Sequence, residues 1–396
     1  MTGVHQVLAK LAGGDAIGNE ALGIQRLLRN AGYNSDIFVE LADTRLEPLT
    51  RDYHELADVS REDNLLLHHF SLGSKASRTA YALPDRMALV YHNITPPEYF
   101  VNYYPALAGY CFWGRRELRA YASRCVLALG ASEYNRLELD AAGFPRTDVL
   151  PVVADLSHLD VAPSALVQHM FDDGWTNILF VGRMVPNKKI EDVIRSFHEY
   201  QTRFNQRSRL LLVGSQEGFE RYVGALTQLL DDLRQPNVVL TGQVSNEELT
   251  AFYDVADLFL CASEHEGFCV PLIEAFYKHV PVLAYAAAAV PSTMDGAGVL
   301  YHTKDPVHIA ALMHSVLSDS SIQDAIAQGQ REALQRLRAK DFGGMLLRFV
   351  EQALTLPRPA PVSVARDFRS EFERDEQIEA LKIERPSAYR ALATRP

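Results

Sequence analysis

Short apolar runs recur along the chain, each followed by a polar or glycine-rich loop and then an amphipathic stretch. "VHQVLAKL" leads through "AGGDAIGN" into "EALGIQRLLRNAGY". "DNLLLHHF", "MALVYHNI" and "CVLALGAS" continue a first series, and "NILFVGR", "RLLLVGS", "NVVLTG", "DLFLCAS" and "VPVLAY" form a second. Near-continuous apolar runs that alternate with helical periodicity predict parallel strands covered on both faces by helices. In "KKIEDVIRSF" the residues Ile190, Val193, Ile194 and Phe197 fall on one helical stripe. Residues 151–175 show no clean period and mark a junction. The expected fold is therefore α/β, with two doubly wound domains facing a cleft. They occupy residues 1–160 and 161–335, and a terminal helix and charged tail occupy 336–396. The prolines of "LPRPAPVSVARD" break the pattern, and the charge-rich segment after them reads as a loosely held tail.

A chain of 396 residues has room for two ordinary cores. Its 47% hydrophobic and 22% charged content is that of a globular protein. A net charge of −11 disfavours nucleic acid as a partner and leaves at most peripheral membrane contact. No apolar stretch is long enough to span a bilayer, and the N-terminal residues do not read as a signal peptide, so a cytoplasmic protein is expected. The four cysteines, Cys111, Cys125, Cys261 and Cys269, form no CxxC pair and read as reduced, buried thiols.

Doubly wound sheets bind ligands beyond the carboxyl ends of their strands, so chemistry is sought in those loops. In "ASEHEGFCVPLIEAF", Glu266 and Glu274 have seven residues between them, Gly267, Phe268 and Pro271 included. Proline suits the first turn of a helix, and Glu274 is expected in that turn. The helix N-terminus with the Gly267 and Phe268 amides suits an anion such as a diphosphate, and two carboxylates suit hydroxyl groups on either side of it. The alternative is two solvated acids. In "FVGRMVPNKK", Arg183 follows an apolar strand and Lys188 comes five residues later; two cations there suit a diphosphate leaving group. Lys189 reads as surface charge. "AGGDAIGN" resembles a dinucleotide fingerprint, but Asp15 replaces its middle glycine, which argues against a dehydrogenase and leaves a glycine loop centred on Gly14. His92 and Asn93 end one strand, and His68 and His69 another; a metal is not expected because no acid or cysteine lies at ligand spacing. Arg115, Arg116, Arg119 and Arg124 cluster with Phe112 and Trp113 on one predicted helix, better read as a solvated face than as an anion site.

Taken in order, "GGDAIGNEA", "GR" with its following lysine, "LTGQVSNEELTAFYDVADLFLCAS" and "EHEGFCVPLIEA" resemble the retaining glycosyltransferases of family four, over about residues 3–350. "YHNITPPEYF" is similar to members that build bacterial surface polysaccharides, often mannosyltransferases. The resemblance implies a GT-B fold of two Rossmann-like domains and a nucleotide diphosphate sugar donor, GDP-mannose first among candidates. The acceptor would be a saccharide or lipid-linked saccharide, and no cofactor or metal would be required. Arg183 and Lys188 would bind the diphosphate, and Glu274 the ribose. Glu266, with the Gly267 and Phe268 amides, would hold the donor sugar. Gly14 would approach the diphosphate, and His92 the sugar near its reacting carbon. His68, His69 and Asn93 are the acceptor-side candidates. Transfer would retain anomeric configuration along a front-face path. Three places depart from the family pattern: Cys269 stands where glycine is common, "AYAAAAVPSTM" lacks a glycine pair, and "LPVVADL" keeps only Asp155. An epimerase, a hydrolase with Glu266 and Glu274 as acid and base, and a non-catalytic sugar-nucleotide sensor are the competing readings.

Overall fold

The computed structural model describes residues 2–12, 16–152 and 156–359. Gly14 and Asp155, and the tail from residue 360, lie outside the described residues. These divide into two compact units, one comprising 2–152 and 341–359, the other 156–340.

The first unit holds seven strands: β1 (Val4–Leu11), β2 (Ile37–Ala42), β3 (Arg51–Asp52), β4 (Leu65–Phe70), β5 (Arg86–Tyr91), β6 (Leu127–Gly130) and β7 (Thr147–Val149). Their order is β3-β2-β1-β4-β5-β6-β7, parallel throughout. The second unit holds β8 (Thr176–Val181), β9 (Ser208–Val213), β10 (Val238–Gly242), β11 (Leu258–Cys261), β12 (Val282–Tyr285) and β13 (Val299–Tyr301). These run parallel in the order β10-β9-β8-β11-β12-β13. Parallel neighbours cannot be joined by a hairpin, and every crossover carries an α-helix except β2 to β3, which has only a short 3-10 turn at Glu47–Leu49. In both sheets the winding reverses once, between β1 and β4 and between β8 and β11. At such a reversal the loops after the two central strands splay apart and leave a crevice at their carboxyl ends.

Every residue of β4 is buried, including His68 and His69, so this strand is covered on both faces. The expected stripe of Ile190, Val193, Ile194 and Phe197 is fully buried on the helix Ile190–Arg203. All four cysteines are buried and unpaired in disulfides. The terminal helix Phe342–Thr355 packs Leu346, Val350 and Ala353 against Val4, Ile24, Leu28 and Leu65, so the chain finishes on the first unit. The division consequently falls near residues 153 and 340 rather than at 160 and 335.

Candidate active site

The second sheet's reversal point joins the two loops singled out in the sequence. The loop after β8 and the loop after β11 are zipped together. Glu264 N–H donates to the Asn187 carbonyl at 2.9 Å, and Asn187 Nδ2 donates to the His265 carbonyl at 2.9 Å. Lys188 Nζ then donates to Glu266 Oε1 at 2.7 Å, with only 14% and 11% of the two side chains exposed. Burial works against the lysine's charge, but the adjacent Glu266 carboxylate outweighs it and holds the ammonium above the ordinary lysine range. The cation expected at a diphosphate and the carboxylate expected at the adjoining sugar are therefore partners here. An ammonium has three protons and a carboxylate about four acceptor positions, so both retain valences for a ligand.

Arg183 lies two residues beyond the end of β8, is exposed, and stacks over the Phe219 ring at 5.7 Å. No carboxylate partners it among the described residues. Its charge is thus available to an incoming anion. Lys189 is not simple surface charge: it caps the helix Ile190–Arg203 in a left-handed conformation (φ 51°) and pairs with Glu191 and Glu264 at 3.6 Å.

Glu274 is the fifth residue of the helix Val270–Tyr277, one turn deeper than expected. Only 7% of it is exposed, and both its oxygens are engaged. Tyr253 Oη donates to Oε2 at 2.8 Å, and His158 Nε2 meets Oε1 at 2.9 Å. Burial first, and then the Glu274 carboxylate, raise the Tyr253 hydroxyl well above the ordinary phenol range, so it stays a donor. Fixing both oxygens holds the carboxylate in one rotamer, with lone pairs left to accept from further hydroxyls. Sequence reading missed His158, whose only signal was its place in the aperiodic junction.

The Gly267–Phe268 segment is held by a third loop. Ala289 N–H donates to the Glu266 carbonyl at 3.3 Å, and the Thr293 hydroxyl donates to the Phe268 carbonyl. The alanine stretch that departs from the family pattern thus still braces this segment, with Ala288 at φ 50°. Cys269 takes φ 76°, a conformation glycine adopts without strain, which gives the family's glycine there its physical reason. Lys304, also missed, reaches Asp192 Oδ2, Glu264 Oε1 and the Ala262 carbonyl, each at 2.9 Å, and pins the β11 loop to the helix after β8.

Gly214, after β9, backs the β8 loop. It has φ 144°, and an added Cβ would stand 2.0 Å from the Gly182 carbonyl oxygen. Gly214→Ala is expected to displace Arg183 and to cost at least about 2 kcal/mol, since both contact atoms are backbone. A urea titration unchanged from wild type would contradict this.

The other candidates lie in the first unit, around its own reversal point. His68 is fully buried, with Nε2 2.9 Å from the Ser77 hydroxyl and its ring against Phe70 and Tyr121. It is a core residue and does not reach an acceptor. Asn93 (φ 77°) donates from Nδ2 to Asn135 Oδ1 at 2.8 Å and shapes the turn after β5. His69 Nδ1 stands 2.8 Å from His92 Nε2, and its Nε2 stands 2.9 Å from Gln6 Oε1. Both rings are held among buried neighbours. The arginine cluster divides. Arg124 is buried beyond its helix and donates to the carbonyls of Tyr81, Leu83 and Asp85. Arg115 pairs with Glu138 at 3.0 Å. With Arg116 and Arg119 it lines a hollow of about 470 Å³ beside Pro96, Pro97 and Glu98.

The comparisons with known proteins agree with this geometry. Residues 166–333 match the family model "Glycosyl transferases group 1". That match spans nearly the whole second unit, which is therefore similar to the group 1 glycosyl transferases along its length. The chain is 30% identical over 159 residues to the O-antigen chain mannosyltransferase B of Escherichia coli, covering 40% of this chain and 41% of that protein. It is 34% identical over 128 residues to a GDP-mannose-dependent alpha-mannosyltransferase of Mycolicibacterium smegmatis, covering 31% of this chain and 30% of that protein. The chain therefore spans less than half the length of these curated relatives. Among solved structures, Anabaena Alr3699/HepE in complex with UDP-glucose superposes with a TM-score of 0.71 at 15% identity, covering 89% of this chain and all of that one. Sucrose-phosphate synthase from Thermosynechococcus elongatus gives 0.68 at 17% identity, covering 89% and 99%. The fold is GT-B, with two Rossmann-like units. No helix among the described residues is long and apolar enough to cross a membrane. Among them no group of three or more histidine, cysteine, aspartate or glutamate side chains is placed to hold a metal.

Proposed function

We propose that the protein is a retaining glycosyltransferase that moves a hexosyl residue, mannosyl by preference, from a nucleoside diphosphate sugar. Its acceptor is a saccharide or lipid-linked saccharide in the building of a surface polysaccharide. The observation that carries this reading is the zipped pair of loops at the β8/β11 reversal point. They set Lys188, Glu266 and a doubly anchored Glu274 within one group 1 domain. Arg183 and Lys188 meet the diphosphate and stabilise it as a leaving group. Glu266 accepts from the sugar hydroxyls while keeping Lys188 oriented. Glu274 accepts from the ribose diol between its Tyr253 and His158 contacts. Two cations and the amides beyond Glu266 serve the diphosphate, so the reaction needs no metal. The likeness to two mannosyltransferases supports mannose, and with the GDP-mannose-dependent relative it favours guanosine over uridine as the base.

Calorimetric titration with GDP, UDP, dTDP and NAD tests the reading, with and without magnesium. One nucleoside diphosphate, GDP by preference, is expected to bind without metal. Glu274→Ala is expected to weaken it at least about tenfold, the loss of charge-assisted hydrogen bonds worth about 1.5 kcal/mol. Binding of NAD alone, or no weakening in the variant, would exclude the donor clamp. Product analysis with and without acceptor then separates transfer from epimerisation and hydrolysis.

A further inference from the structure

The first unit's reversal point carries a buried polar chain whose end group the donor clamp does not use. It begins at Gln6 on β1, whose Nε2 donates to the Ala21 carbonyl at 3.0 Å. That contact leaves Gln6 Oε1 as the acceptor 2.9 Å from His69 Nε2, so His69 carries its proton on Nε2. His69 Nδ1 is then bare, and it accepts from His92 Nε2 at 2.8 Å. His92 in turn carries its proton on Nε2 and leaves Nδ1 bare. Facing that nitrogen is the carboxyl of Glu20, on the helix Ala16–Asn30 that follows β1, with Oε2 at 3.8 Å. The side chains of His92 and Glu20 are only 4% and 2% exposed.

Neither oxygen of Glu20 has a hydrogen-bond partner among the described residues. Among the described residues no cation lies against it, and no ionisable group but His92 stands beside it. An ionised carboxylate in that position would be a buried charge without partner, facing a lone pair. A neutral carboxylic acid has one proton to give, and His92 Nδ1 is the acceptor in front of it. The gap is just beyond hydrogen-bond distance and closes with a small rotation of the carboxyl, as polar contacts in ligand-free sites often do. We infer that Glu20 is held as a neutral acid that presents its proton to Nδ1 of His92, and that it is the positioning residue that keeps His92 uncharged and fixed in its ring plane. Glu20 also ties the helix after β1 to the end of β5, so one proton holds together two loops of the reversal point. Burial independently pushes the Glu20 carboxyl up to about 8 and holds both His69 and His92 below the ordinary imidazole range. The functional consequence rests on the reading above, in which His92 serves sugar transfer; the protonation state does not.

The test uses the full-length chain with carboxyl-¹³C-labelled glutamate. The expected result is one glutamate carboxyl that titrates near pH 8, together with a protonated-carboxyl infrared band at pH 6.5 that Glu20→Gln removes. His92 and His69 should both appear as Nε2–H tautomers in long-range ¹H–¹⁵N spectra. In turnover assays the wild type should lose about tenfold per pH unit above that titration, as for a single essential proton, and Glu20→Gln should lack this alkaline limb. A glutamate set titrating entirely below pH 6, or a bare Nε2 on His92, overturns the inference even if donor binding is normal. An alkaline limb that persists in Glu20→Gln overturns the positioning role. If Glu20→Gln does not fold, the wild-type carboxyl titration decides the protonation state alone. Failure of every nucleoside diphosphate to bind the second unit would instead strike the transfer reading and leave these spectra valid.

Discussion

Lys188→Met is expected to destabilise the second unit by about 3–5 kcal/mol and to weaken nucleoside diphosphate binding at least about a hundredfold. The two effects have different origins. The Lys188 and Glu266 side chains are 14% and 11% exposed and meet at 2.7 Å, so removing the ammonium strands a nearly buried carboxylate. Methionine fills much of the volume and isolates the electrostatic loss. Glu266→Gln added to Lys188→Met removes the stranded charge and should recover most of the stability. It should not recover binding, because neither the phosphate cation nor the sugar-holding carboxylate returns. Urea titrations and calorimetry on the single and double variants separate the two. Recovered binding in the double variant would show the pair to be structural only. A single variant as stable as wild type would show that the buried pair is not formed in solution.

The stability of the first unit is expected to peak near pH 6.5, set by four buried groups around β4 and β5. Burial, with smaller effects of His69 and Arg124, lowers His68 to about 3; burial alone lowers His69 to about 4, and burial first and then His69 hold His92 well below the usual 6.5. A depressed folded pKa means that the unfolded chain binds more protons. These contributions are therefore complete above pH 6.5 and are lost as pH falls through the folded values. Glu20 has the opposite sign. Its folded value of about 8 exceeds the ordinary 4.5, so its contribution is complete below 4.5 and is lost as pH rises through 8. Each group changes stability by at most about 1.4 kcal/mol per pH unit. Between pH 4.5 and 6.5 three rising contributions oppose one falling one; above 6.5 only the falling one remains. Urea midpoints at pH 5, 6.5 and 8 should show the maximum in the middle, with an acid loss of roughly 3 kcal/mol. Glu20→Gln should flatten the alkaline side alone. A midpoint that rises steadily to pH 8 would mean that Glu20 ionises normally.

Most strands were legible, though not their order in the sheets, because parallel strands covered on both faces read as unbroken apolar runs. β1, β4, β5, β6 and β8 to β12 all appear in the sequence as such. β3, β7 and β13 have two or three residues each, too few for a pattern. β2 was missed because its outer half is only partly buried and carries Glu40 among its apolar positions. Arg183, Lys188, Glu266 and Glu274 were legible one by one, since loops after strands are where such a fold displays charge. What no spacing encodes is partnership. Lys188 and Glu266 are 78 residues apart, and His158 and Glu274 are 116 apart. Only strand order makes them neighbours, by placing β8 beside β11 and the aperiodic junction beside the helix Val270–Tyr277. Burial is likewise a tertiary property. From the sequence, His68 and His69 are adjacent residues of one type at one strand end, equal candidates for an acceptor site. The fold sends one into the core with Ser77 and the other into a chain with Gln6 and His92, because successive strand residues face opposite sides of the sheet. Nothing in the sequence singles out Glu20; only the packing of its helix against β1 and beside His92 removes it from water and gives its proton a place to go.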